Sequence, residues 1–123
     1  MAGSAKFIEY NGTRILMFDF AQCELEEMVP VIREGKQLIA AEPEKSVLTL
    51  TDVTGARNNS AAARVMKELA AYNKPYVKAA AVVGLDGLKR IALEAVARFS
   101  GRNLTAFDDI EKAMVWLAQQ KAG

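Results

Sequence analysis

The residues of this 123-residue chain best placed to do chemistry lie between Leu48 and Ser60, in the string LTLTDVTGARNNS. An apolar run stops at Asp52, and a short polar turn then leads to a helix start at Ser60. The turn offers a carboxylate (Asp52), two hydroxyls (Thr54, Ser60), a guanidinium (Arg57) and two amides (Asn58, Asn59). Where a strand of an α/β domain runs into a helix, free backbone N–H groups and the positive end of the helix dipole face outward, so ligands and partners bind there. The chemistry within reach is recognition. Asp52 is either an acceptor for a partner's or ligand's basic group or a local cap ordering Thr54 and Gly55. Ser60 or Asn59 caps the helix.

The rest of the chain withholds the usual catalytic tools. It contains no histidine and a single cysteine, Cys23. Ser-His-Asp and Cys-His mechanisms are therefore excluded within one chain, as are an internal disulfide and a structural zinc site. The acids Glu24, Glu26 and Glu27 follow Cys23 closely and disfavour a thiolate. Lys78 interrupts an otherwise apolar strand and reads as a lysine that reaches for solvent and pairs with an acid. No metal site, cofactor motif or enzymatic activity is expected. With half its residues hydrophobic and a quarter charged, the chain has the composition of a single soluble domain over residues 1–123. Its longest apolar run, Ala79 to Val83, is too short to span a bilayer. No signal-peptide pattern opens the sequence, and cysteine usage points to the cytoplasm.

Charge is unevenly placed although the net is only +1. Residues 1–56 hold nine acids and five bases, whereas residues 57–107 hold nine bases and three acids. The first turn after Ser60 carries no acid, and Lys89 and Arg90 fall in the first turn of the next helix. Both placements oppose the usual preference of helix starts for acids. In a parallel sheet these starts share one edge, which gives an expected surface for an acidic partner or anionic ligand: Asp52, Thr54, Arg57, Asn58, Asn59, Ser60, Lys89 and Arg90. Nucleic acid is not expected, because no dense basic stripe or aromatic platform is present.

The elements that must position this turn follow from pattern. Lys6–Tyr10 and Thr13–Phe20 are strands joined by Asn11-Gly12, a hairpin signal. Leu25, Met28, Val29, Ile32 and Ile39 keep helical spacing, with Pro30 marking a kink or a late start and Gly35 weakening the helix by about 1 kcal/mol. Ser46–Thr51 is a strand. Ala62, Val65, Met66 and Leu69 form a helical stripe. Tyr76–Val83 is an interior strand whose three alanines call for a close-packed helix. Asp86 caps a helix with the stripe Leu88, Ile91, Ala92, Ala95, Val96 and Phe99, ended by Gly101. Asn103–Phe107 is the last strand. Asp108 with Glu111 opens a final helix, in which Ile110, Ala113, Met114 and Leu117 face inward and Trp116 flanks them. The alternation predicts an α/β fold: a mostly parallel five-stranded sheet with an N-terminal β-hairpin and four helices.

The order of elements and the strings TLTDVTGARNNS, NKPYVKAAAVVGL and ARFSGRN together resemble the SpoIIAA-like group of the STAS / CRAL-TRIO superfamily, in a bacterial subgroup of stand-alone domains. The resemblance runs from about Phe7 to Leu117 and implies the SpoIIAA-like β-α superhelix. STAS domains of the anti-sigma-factor-antagonist type bind a partner kinase and are switched by a phosphoserine at the start of the helix after the third strand. Here that place aligns with Arg57, Asn58 and Asn59, and Ser60 follows one residue later as the candidate phosphoacceptor. CRAL-TRIO relatives carry lipids. The reading is a non-enzymatic, homodimeric regulatory module that binds a protein partner through the turn 52–60. The alternative is a carrier or sensor of a small anionic or amphipathic, lipid-like ligand.

Overall fold

Asn11 and Gly12 take φ of 49° and 79°, the left-handed pair that a two-residue hairpin needs. The structure is a computed structural model that describes residues 3–100 and 103–121, the side chains of residues 96, 99 and 100 apart. The hairpin joins β1 (Ser4–Tyr10) to β2 (Thr13–Asp19), antiparallel from Ser4↔Asp19 to Tyr10↔Thr13. Then follow α1 (Leu25–Ala40), β3 (Val47–Asp52), α2 (Ser60–Asn73), β4 (Val77–Val83), α3 (Gly87–Ser100), β5 (Leu104–Phe107) and α4 (Ile110–Gln120). The strands lie in sequence order, β1-β2-β3-β4-β5, and all pairs after the first are parallel.

The sheet is packed on both faces. Leu16, Phe18 and Phe20 point to one side, where Met28, Val31, Ile32 and Ile39 of α1 and Ala62 and Leu69 of α2 cover them. Ile15, Leu48, Leu50, Ala79, Ala81 and Val83 point to the other, under Ala113 and Leu117 of α4. The alanines of β4 sit in the sheet interior and admit α4 closely, as their small size demands. Trp116 stays at the rim of this second core, its ring 5.4 Å from that of Phe107. The right-handed rule for β-α-β crossovers puts α3 on the α1/α2 side, where it packs against β5.

Several expectations need correcting. Helix α1 starts neither late nor broken: Glu24 and Glu27 form a reciprocal capping box, and Pro30 lies inside the helix. Pro30 leaves the helix without one backbone N–H donor. Val29 is 42% exposed, and Val31 takes the core place assigned to it. Gly35 is no simple weakness, since it is buried and a Cβ there would overlap the Phe18 ring. The cap of α4 is Asp109, whose carboxylate accepts from Lys112 N at 2.8 Å, in place of Asp108. Among the described residues Lys78 pairs with no acid: its Nζ donates to the Lys121 carbonyl at 2.9 Å. The largest departure is α3. Leu88 and Ile91 are 83% and 63% exposed, and Ala92 is exposed too, so the front of the predicted inward stripe faces solvent. Of the remainder of that stripe Ala95 is half-buried, whereas the side chains of Val96 and Phe99, and the stop at Gly101, lie outside what the structure describes.

Candidate functional site

One register row crosses the whole sheet at the carboxyl ends of the parallel strands: Ser4, Asp19, Asp52, Val83 and Phe107. Strand β3 therefore delivers Asp52 to the edge beside Asp19, and every β-to-α turn of the parallel sheet leaves from this row. Asp52 is only 8% exposed. Its Oδ1 accepts from Thr54 N at 2.9 Å and from Thr54 Oγ1 at 2.6 Å. Asp19 Oδ1 accepts from Ala21 N at 3.0 Å in the same way. Both carboxylates turn back onto the chain two residues ahead, the geometry of an Asx turn. Asp52 thus builds the turn from beneath.

Three loops are stitched together above it. Gln22 N donates to Thr54 O, Val53 N to Val83 O and Arg57 N to Cys23 O, each within 2.9 Å. Gly55 takes φ of +66°, which turns the chain over the Gln22 side chain. Gly84 takes φ of +96°, and a Cβ there would stand 2.5 Å from Thr54 N. Glycine at both positions lets the backbones meet without steric conflict. The result is a hydrogen-bonded platform with Thr54, Gly55, Arg57, Asn58, Asn59 and Ser60 exposed on top.

The helix starts are closed by side chains. Asn59 is the N-cap of α2, its Oδ1 accepting from Ala62 N at 2.9 Å, and exposed Ser60 is the first helical residue. Asp86 caps α3 by accepting from Lys89 N at 3.0 Å. The predicted arginines are paired. Arg57 makes a two-pronged contact with Glu24, at 2.9 Å and 2.5 Å, and this partner raises its pKa further. Arg90 bonds Asp108 at 2.6 Å and the Ala106 carbonyl at 3.1 Å, which pins α3 to the β5–α4 turn.

The fold brings Asp52, Thr54, Arg57, Asn58, Asn59 and Ser60 into one turn, as the sequence predicts. Lys89 and Arg90 start the neighbouring helix, with Arg90 directed toward β5. Sequence reasoning missed Leu88 and Ile91 as surface residues, because helical spacing marks an apolar stripe without saying what covers it. It also missed Gln22, Glu24 and Gly84, which reach the turn only through the sheet's parallel register. Cys23 lies beneath the platform and is fully buried; burial, then Glu27 and Asp19, push its thiol pKa up. Among the described residues, no cluster of three His, Cys, Asp or Glu is arranged to hold a metal ion.

The chain superimposes on a crystal structure of an uncharacterised protein of the DUF3478 family from Shewanella loihica, described as having a SpoIIAA-like fold, with a TM-score of 0.77 over 94% of both chains. The fold is SpoIIAA-like. The two sequences are 18% identical, so the likeness speaks for the SpoIIAA-like architecture alone. No family model and no curated protein matches the chain. Within the SpoIIAA-like frame the loop platform sits at the carboxyl edge, and among the described residues no helix is long and apolar enough to cross a membrane.

Proposed function

We propose that the chain is a non-enzymatic regulatory module that docks a protein partner on the platform formed by residues 54–60 and the start of α3. One contrast carries this reading: Asp52 is buried and hydrogen-bonds the turn from beneath, while the five polar residues and the glycine above it stand in solvent. An exposed polar turn already held by hydrogen bonds suits a protein surface, because little ordering entropy remains to be lost on docking. Leu88 and Ile91 add the apolar area such an interface needs at its centre. Gly84 packs on Thr54 and leads directly into α3, so these apolar side chains and the turn belong to one edge. The alternative, a small anionic or lipid-like ligand at the same edge, has less support. Asn59 and Asp86 occupy the helix N-termini, and Arg57 and Arg90 are neutralised by Glu24 and Asp108.

Affinity capture with the immobilised chain from a lysate of its own host tests the proposal. A partner retained by the wild-type chain should be lost by Asn58→Arg and by Leu88→Glu and kept by Lys112→Gln, with circular dichroism verifying that each variant is folded. Retention indifferent to both platform substitutions, or a small molecule found on the purified protein by native mass spectrometry, overturns it. The switch implied by the STAS resemblance is checked by intact mass after incubation with lysate and ATP. Phosphate on Ser60 adds the switch to the reading, and its absence leaves a constitutive docking surface.

A further inference from the structure

The opposite end of the sheet, where the hairpin turn, the α1–β3 loop, the start of β4 and the end of α4 meet, forms a cavity of about 400 Å³ that is open to solvent on one side. Its lining contains four cations, Arg14, Lys45, Lys78 and Lys121, and no carboxylate. Leu48 gives it an apolar floor, and the Thr13 hydroxyl faces it without a hydrogen bond to any described residue.

The cations are fixed by carbonyls. Lys121 Nζ donates to the Gly12 carbonyl at 2.8 Å and Lys78 Nζ to the Lys121 carbonyl at 2.9 Å. Each ammonium has three donors, so two remain on each. Arg14 donates one N–H to Glu42 at 2.8 Å and lies over the Phe7 ring, which leaves most of its fork unused. Lys45, held at φ of +57° by the loop, has no side-chain bond to any described residue. Among the described residues no carboxylate pairs with the side chains of Lys45, Lys78 or Lys121, and the carboxyl end of the α4 dipole, about half a charge, lies beside them. Four cations and no carboxylate among the described lining residues, over a small and partly apolar floor, suit a compact polyanion.

We propose that this cavity binds a small molecule through two adjacent phosphate groups, at a site separate from the partner platform. Adjacent phosphates match the charge excess and the spare donors, and the volume lies within the range of small-molecule sites.

Isothermal titration of the full chain at low ionic strength decides it, with inorganic phosphate, pyrophosphate and ADP as probes. Saturable pyrophosphate binding is expected, tighter than inorganic phosphate and weakened by salt. ADP binding as tightly as pyrophosphate or tighter supports the same site, the former marking an inorganic ligand and the latter an organic one. Lys45→Gln should weaken binding about tenfold, the scale of one charge-assisted contact. Lys45 holds nothing else in place, so this variant keeps the fold whatever happens to Lys78→Gln or Lys121→Gln. Lys112→Gln, on α4 but outside the cavity, should bind as the wild type does. No saturable binding of pyrophosphate or ADP, equal affinity for single phosphate, or an unaltered Lys45→Gln overturns the proposal.

Discussion

The ring of Phe18 on β2 occupies the space that a side chain at Gly35 on α1 would fill. Helix and sheet approach more closely at this point than any other residue at 35 would allow. Glycine in mid-helix costs about 1 kcal/mol of propensity against alanine. Here that cost is offset by the seating of a fully buried aromatic, stacked 6.1 Å from Phe20. Propensity therefore predicts the wrong sign for a substitution. Gly35→Ala should destabilise the protein by about 1–3 kcal/mol, the usual penalty for overpacking. Urea unfolding measures it, and a variant as stable as the wild type or more so would show that the helix can yield.

Asp52 is assigned to the turn through its acceptor oxygen. Asp52→Asn keeps an oxygen in place and should retain most of the stability. Asp52→Ala removes the acceptor of two hydrogen bonds and should lose about 1–3 kcal/mol. Thermal unfolding of the pair separates the roles. Equal losses in both variants would mean that the negative charge, and not the hydrogen bonds, is what the site needs.

The Cys23 thiol should be silent in the native protein. It is fully buried, and burial with Glu27 and Asp19 raises its pKa above the ordinary 9.0. A disulfide reagent at pH 8 should react with one equivalent of thiol only after denaturant is added. The linkage runs with the raised pKa. The contribution to stability is full below the unfolded thiol's value and is lost as pH climbs through the higher native one. Rapid labelling of the native chain at pH 8 would contradict both statements.

Helix α2 has no acid in its first turn. Ser60→Asp places one at its first position, beyond the Asn59 cap, and should stabilise the chain by about 0.3–1 kcal/mol at low salt. The gain should fade in high salt and at pH below the new carboxyl's titration. A melting temperature that falls instead would show that position 60 is committed to a contact a carboxylate breaks. The same sign applies to a phosphate there, so a phosphoserine would be compatible with the helix.

Elements were legible wherever one local rule decided them. The Asn11-Gly12 turn, the alternation of the first strands, the alanine-rich interior strand and the spacing of Ala62, Val65, Met66 and Leu69 each carry their own signal. Failures came where the deciding atom lies far along the chain. Arg57 reads as an uncommitted base until Glu24, 33 residues earlier, meets it. Arg90 does so until Asp108, 18 residues later, does the same. Asp108, three residues before Glu111, reads as the cap in sequence, and backbone geometry chose Asp109. The α3 stripe fits a core helix in pattern, yet the neighbouring β5 has only four residues and cannot cover it. The basic cavity was invisible for the same reason: Arg14, Lys45, Lys78 and Lys121 come from four separate elements.

Helix α4 alone covers the second face of the sheet, and Tyr10 bonds it through Glu111 at 3.1 Å. Ribosomes make the chain from the other end. All five strands exist before the helix that shields Ile15, Leu48 and Leu50 has been made. The nascent domain passes through an interval in which one side of a nearly finished sheet is bare and adhesive. Closure by α4, with Lys121 reaching the Gly12 carbonyl, ends that interval.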